Sequence, residues 1–330
     1  MKPRVHFVGA GPGDPELLTV KGARLVSQAD LIIYPGSLTP RALVDLARPA
    51  AKLLDSAKLT LEETHAALMA AWRAGGRVVR LQAGDPSLYG AVAEQAELLA
   101  KEGVEYEVVP GVTAASAAAA AFKVSVTAPE TTQTLILTRL AGRTPMPETE
   151  ALRQLARHQA SLALYLSVAD PETARAELLA GGYPPHTRVG VAHRVGWPEE
   201  ELHLSTIEDF PDLVRSRNLT RQTLFLVLPG YGAKTRSKLY DPDFTHGSRG
   251  RRIQHNPILD APGDTLVCYC GKVDKKTILH AIAAGHDTVD KLKAVTNICP
   301  KDNDCATNNP HGRCCMAEVT ALLRAHGGLV

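Results

Sequence analysis

Six cysteines, none of them before position 268, are the residues of this 330-residue chain whose chemistry first asks for a reading. Cys268-x-Cys270 opens the group, and Cys299, Cys305 and the adjacent Cys314 and Cys315 complete it. Sulfur ligands converging from two loops beside short helical stretches point to a metal or cluster site, and the spacing is not the paired C-x-x-C of a zinc ribbon. A second set is rich in glycine: GAGPGDPELLT from Gly9, GDPSLYG from Gly84 and PGVTAASAAAA from Pro110, in that order. Glycine turns let backbone N–H groups approach a ligand closely. In the first turn, Gly9, Gly11 and Gly13 give G-x-G-x-G with Pro12 inside, and proline removes an N–H that a pyrophosphate would use. The second apolar run ends in Pro35-Gly36, where a dinucleotide fold carries an acidic residue for the ribose. A nicotinamide enzyme is thereby disfavoured. The first 267 residues offer no cysteine nucleophile, and no Ser-His-Asp or Cys-His constellation is expected.

The elements that must position these residues follow a βαβ rhythm from Val5 to about Gly230. Strands are expected at VHFVG, LIIY, RVVRL, YEVVPG, TLILTRL, LALYLS, TRVGVAH and TLFLVLPG. Several run straight into Gly, Pro or Asp, and ligands of open α/β sheets bind at the carboxyl ends of strands, so these turns mark a binding edge. Residues 1–118 form one α/β half and 119–235 a second, joined through the alanine-rich stretch and the polar SVTAPETTQ. Residues 236–263 are polar and basic and read as an extended arm; Arg249, Arg251 and Arg252 are a solvated run there, not a nucleic-acid patch. Residues 264–330 have helical patterns at KKTILHAIAAG, VDKLKAV and MAEVTALLRAHGG. So small a module gains from a metal centre that holds it together.

Composition bounds the rest. Apolar residues make up 45%, and 37 Lys and Arg against 35 Asp and Glu name neither a nucleic acid nor a membrane surface as partner. The opening apolar run is too short for a secretory signal, and no stretch reaches the length of a bilayer span. A cytoplasmic location is expected, where thiols stay reduced and clustered cysteines ligate metal or do redox work.

The three glycine strings together resemble the tetrapyrrole methylase family, which methylates corrin and sirohaem precursors with S-adenosylmethionine. The likeness spans roughly residues 2–249, and TQTLILTRLAGRTPMPE and SKLYDPDFTHG look like the subgroup acting at C11 of (cobalt-)precorrin-4. The resemblance implies an α/β, two-lobed fold with mostly parallel sheets, and a donor folded into the cleft between the lobes. Carried over to this sequence, the donor contacts are Pro12, Ala83, Gly84, Asp85, Leu88, Thr113, Ala114, Leu166 and Ala192. Relatives acting on uroporphyrinogen carry an Asp where this chain has Pro35, so no general base transfers to that position. None is needed, because orienting an activated methyl in line with a ring carbon can supply on the order of 7–11 kcal/mol. Guanidinium forks match the substrate's acetate and propionate arms, and Arg139, Arg143 and Arg194 are the candidates. Tyr165, His193 and Trp197 could stack on or cap the macrocycle.

The tail resembles the bacterioferritin-associated ferredoxin type of [2Fe-2S] domain, in the variant seen in an archaeal copper chaperone. That likeness implies Cys268, Cys270, Cys305 and Cys315 as cluster ligands, with Cys299 and Cys314 as spare thiols or alternatives. Family likeness further implies a homodimer, and the cluster implies a redox partner. A corrinoid-binding redox or metal-delivery protein is the second reading. Titration with the methyl donor separates it from an enzyme.

Overall fold

The computed structural model describes residues 5–142, 144–240, 256–300 and 305–327, and the chain divides into two compact units, residues 1–235 and 236–330. In the first unit β1 (Val5–Gly9), β2 (Leu31–Tyr34), β3 (Lys52–Asp55), β4 (Val78–Gln82) and β5 (Tyr106–Val109) form one sheet in the order β3-β2-β4-β1-β5. Every pairing in it is parallel. Strand β1, VHFVG, lies between β4 and β5 and is buried at all five positions, as a strand covered on both faces must be. Helices α1 (Val20–Gln28), α2 (Arg41–Val44), α3 (Leu61–Arg73) and α4 (Val92–Lys101) fill the crossovers. One apolar layer joins Val8, Ile32, Val79 and Leu81 to Val26 of α1, and the other joins Phe7, Ile33 and Val78 to Leu68 of α3 and Leu99 of α4. Thr60 and Glu63 start α3 with reciprocal side-chain caps.

Next come α5 (Ala114–Ala121), β6 (Leu135–Arg139), α6 (Leu152–Ala156), β7 (Ser161–Tyr165), α7 (Pro171–Ala180), β8 (Arg188–His193), β9 (Glu201–Thr206), α8 (Phe210–Ser216) and β10 (Thr223–Leu228). The second sheet runs β6-β7-β10-β8-β9. Here the expectation of parallel strands fails: β6 and β7 are parallel, but β10 is antiparallel to both its neighbours and β9 to β8. The reason is connection length, since residues 194–200 are too few to carry a crossover helix. The alanines of α5 let that helix lie close on the sheet, where Ala115, Ala117 and Ala118 meet Ala163, Ala192, Leu224 and Leu226. The change of lobe expected at 118/119 thus falls inside a helix packed entirely on the second sheet. The opposite face of the sheet holds Leu162, Leu164, Val191 and Phe225 against α6, α7 and α8.

The second unit contains a 3-10 turn at Pro257–Leu259, then β11 (Leu266–Cys268), β12 (Val273–Asp274), α9 (Lys275–Ala283), α10 (Val289–Val295), α11 (Cys305–Asn308) and α12 (Met316–Ala325). Ile258, Val267, Ile278, Ile282, Leu292, Val319 and Leu322 make its core. The core therefore reaches back ahead of residue 264. A buried ammonium fastens this start: Lys275 Nζ donates to the carbonyls of Leu259 (2.8 Å) and Ala261 (2.7 Å). Arg249, Arg251, Arg252 and most of SKLYDPDFTHG lie outside the described residues. Among the described residues no helix is long and apolar enough to cross a membrane.

Candidate functional site

Strands β4, β1 and β5 are parallel neighbours, so the three glycine strings emerge side by side from one sheet edge. Backbone bonds then fuse the turns. Ala10 N–H donates to the Gln82 carbonyl (2.7 Å), and Gly11 and Gly84 exchange N–H···O bonds of 3.2 and 2.8 Å. The Asp85 carboxylate accepts from Ser87 N–H (2.8 Å) in its own turn and from Gly111 N–H (3.0 Å) in the third. It clamps two turns together. The contact also explains two glycines that need no unusual φ: a Cβ on Gly111 would lie 2.2 Å from the Gly84 carbonyl oxygen, and one on Gly9 2.5 Å from the Gly111 Cα.

The third turn leads into the N-terminus of α5. Thr113 occupies the cap position, yet its own side chain makes no cap bond. Tyr165, at the end of β7, does that work from across the fold, since its hydroxyl accepts from Ala115 N–H (3.0 Å) and pairs with the Thr113 hydroxyl. Burial pushes the Tyr165 phenol above its ordinary pKa, against the lowering from Thr113 and Ala115, so it stays protonated. The ring of Tyr89 stands 5.5 Å from that of Tyr165, tilted 50°. Leu166, the next residue, has φ +53° and is 71% exposed, facing outward from the strand end. The first turn is held from the other lobe as well, by the Trp197 indole N–H donating to the Pro12 carbonyl (3.0 Å).

These contacts bring Pro12, Gly84, Asp85 and Thr113, with Ala83, Leu88 and Ala114 beside them, to one edge, and Tyr165 links Leu166 to the same place. Ala192 stands apart. It is 1% exposed and packed under α5 with the alanines of that helix. Of the three arginines, Arg139 spends its guanidinium on the carbonyls of Leu140 (3.0 Å), Thr144 (3.2 Å) and Pro145 (3.0 Å), which shapes the loop after β6. Arg194, at φ +48°, lies 6.0 Å from the Trp197 ring and 3.6 Å from a Glu199 oxygen, and its Nε has no partner. Arg143 lies outside the described residues. His193 Nδ1 meets Thr223 Oγ1 at 2.8 Å, and burial first, then Arg194, pulls its pKa below the ordinary value. The sequence offered Tyr165 and Trp197 as groups to stack on or cap the macrocycle; their bonds to α5 and to Pro12 carried no signal in the chain order.

In the second unit the cysteines converge. Cys270 and Cys305 sulfurs are 3.7 Å apart, and the Cys268 sulfur accepts from Gly271 N–H (3.4 Å) and Cys299 N–H (3.5 Å). Cys305 is pushed up to about 12, first by Cys270, and Cys315 to about 12, first by burial and then by Cys268; Cys314 acts on both. The four expected ligands are thus two neighbouring pairs. Cys299 and Cys314 are exposed. As the side chains stand, no three His, Cys, Asp or Glu groups among the described residues are arranged to hold a metal ion.

The molecule thus has two α/β lobes, and the three glycine turns of the first fuse beside the start of the alanine helix that packs on the second. The chain belongs to the tetrapyrrole (corrin/porphyrin) methylases, whose family profile matches residues 4–211. It is 42% identical over 253 residues to the cobalt-precorrin-4 C(11)-methyltransferase of Priestia megaterium, covering 74% of this chain and 97% of that protein. To the precorrin-4 C(11)-methyltransferase of Pseudomonas aeruginosa it is 48% identical, over 68% of this chain and 88% of that one. The X-ray structure of a cobalt precorrin-4 methyltransferase of cobalamin biosynthesis superposes with a TM-score of 0.67 at 42% identity, covering 68% of this chain and 94% of that one. Uroporphyrin-III C-methyltransferase from Thermus thermophilus, solved with S-adenosylhomocysteine, gives 0.56 at 29% identity, covering 68% and 96%.

Proposed function

We propose that the first unit transfers the methyl group of S-adenosylmethionine to C11 of (cobalt-)precorrin-4, giving (cobalt-)precorrin-5 in cobalamin biosynthesis. The fusion of the three turns through Asp85, Gly84 and Gly111 carries the reading, because it makes a rigid seat at the edge where the family places its donor. Relatives named for this reaction, at 42–48% identity over most of their length, support the choice of ring carbon. When bound, the donor supplies a methyl already activated on a sulfonium. The protein's part is then to place, orient and desolvate. Donor contacts at Pro12, Ala83, Gly84, Asp85, Leu88, Thr113, Ala114 and Leu166 set the position, and a neutral Tyr165 fixes the α5 terminus without acting as a base. Arg139, Arg143 and Arg194 are the candidates for the substrate's carboxylates, and the Nε of Arg194 is buried with no partner among the described residues.

For the second unit we propose a [2Fe-2S] cluster on Cys268, Cys270, Cys305 and Cys315. Support comes from the C-x-C opening and the meeting of these four residues in two neighbouring pairs, a thiol-rich donor set suited to iron. When bound, such a cluster supplies one-electron chemistry and ties three loops of a small core. A cytoplasmic homodimer with a redox partner completes the proposal. Incubation with 13C-methyl donor and either cobalt-precorrin-4 or its metal-free form, followed by NMR of the product, tests the first part. A labelled methyl at C11 is expected; label at another carbon, or none with donor bound, overturns it.

A further inference from the structure

Strand β4 carries two polar side chains into the apolar layer beneath α3 and α4. Arg80 stands in register between Phe7 and Ile33, both fully buried. Its Nε donates to Gln95 Oε1 of α4 (3.2 Å) and its Nη1 to Ser56 Oγ (2.9 Å), whereas Nη2 meets no acceptor among the described residues. No carboxylate of the described residues comes within ion-pair distance of it, and burial alone pulls its pKa down to about 10. Two residues on, and so on the same face of the strand, Gln82 is 6% exposed with its Nε2 buried and unpartnered. The chain then runs directly into Ala83 and Gly84 of the donor turn.

A partly desolvated guanidinium without a countercharge carries a cost, and so does a buried amide donor left unpaired. Two such costs, side by side under a ligand-binding turn, have a common remedy: an incoming group with negative charge and paired acceptor oxygens. We propose that Arg80 and Gln82 form a receptor for a carboxylate of a bound reactant, seated beneath the turn formed by residues 83–91. A carboxylate fits a guanidinium edge and an amide N–H in one plane. Both reactants carry this group, the donor on its amino-acid end and the macrocycle on its acid arms. The assignment rests on the methyltransferase reading above.

Full-length protein with Arg80→Gln or with Gln82→Leu tests it by calorimetry with S-adenosylhomocysteine and with its decarboxylated analogue, and by the KM for cobalt-precorrin-4. If the donor's carboxylate is held, both variants lose roughly tenfold or more in affinity for adenosylhomocysteine, yet bind the decarboxylated analogue as the wild type does. If an acid arm is held, adenosylhomocysteine binding is unchanged and the KM for the tetrapyrrole rises by roughly tenfold at little change in kcat. Gln82→Leu guards against a misfolding artefact, because a merely structural role predicts equal or higher thermal stability and unaltered binding. Unchanged affinity and KM in both variants overturn the proposal. Wild-type protein that bound neither reactant would instead sink the methyltransferase reading, and this one with it.

Discussion

Tyr165 shows how much a single hydroxyl can set. It replaces the missing side-chain cap of α5, so Tyr165→Phe leaves Ala115 N–H without its acceptor and Thr113 without its partner. Loss of a helix cap costs about 1 kcal/mol, and the same order of loss is expected in donor affinity, several-fold in the dissociation constant for adenosylhomocysteine by calorimetry. His193 gives a pH prediction. Its folded pKa lies below the ordinary 6.5, so between those values the unfolded chain binds more protons. Stability therefore falls as pH drops below about 6.5 through the lowered folded value, and His193→Gln flattens that slope in melts recorded against pH. At this scale the sequence was a partial guide. Pro12, Gly84, Asp85 and Thr113 sit in turns that the chain order shows as local strings, and their assignment to the donor came from the family likeness of those strings. Who caps α5, and who tethers Pro12, depends on partners 50 and 185 residues distant, which no local pattern encodes.

Among the elements, the parallel sheet and its edge of turns were legible because alternation of apolar strands with helices is strong in that half. Two strands were not. β3 and β9 are edge strands with half-exposed patterns, KLLD and ELHLST, and their polar residues hide the apolar signal. The antiparallel course of the second sheet was equally hidden, since direction is set by the short 194–200 connection and not by strand composition. The fused turns predict a sharp outcome for Gly111→Ala. The added methyl would sit 2.2 Å from the Gly84 oxygen, so the turns must part, and donor affinity should fall by more than tenfold with circular dichroism intact. Gly142, where a Cβ meets nothing within 4 Å, is the control: Gly142→Ala should bind as the wild type does.

Across the whole molecule, the division into two units keeps the cysteines apart from the lobes of the methylase fold. Every cysteine lies beyond residue 267, in the unit with its own core, and the methylase profile ends at residue 211. Cys268→Ser in the full chain should abolish visible iron-sulfur absorption and lower the melting transition of the second unit. Adenosylhomocysteine affinity should not change. Loss of both together would contradict the independence of the two units.

The most direct measurement is a crystal structure grown with S-adenosylhomocysteine. The account predicts the ligand in contact with the backbone of residues 83–85, with Thr113 and Ala114, and with Leu166 at the end of β7. Density for the ligand elsewhere, or none at saturating concentration, would contradict it.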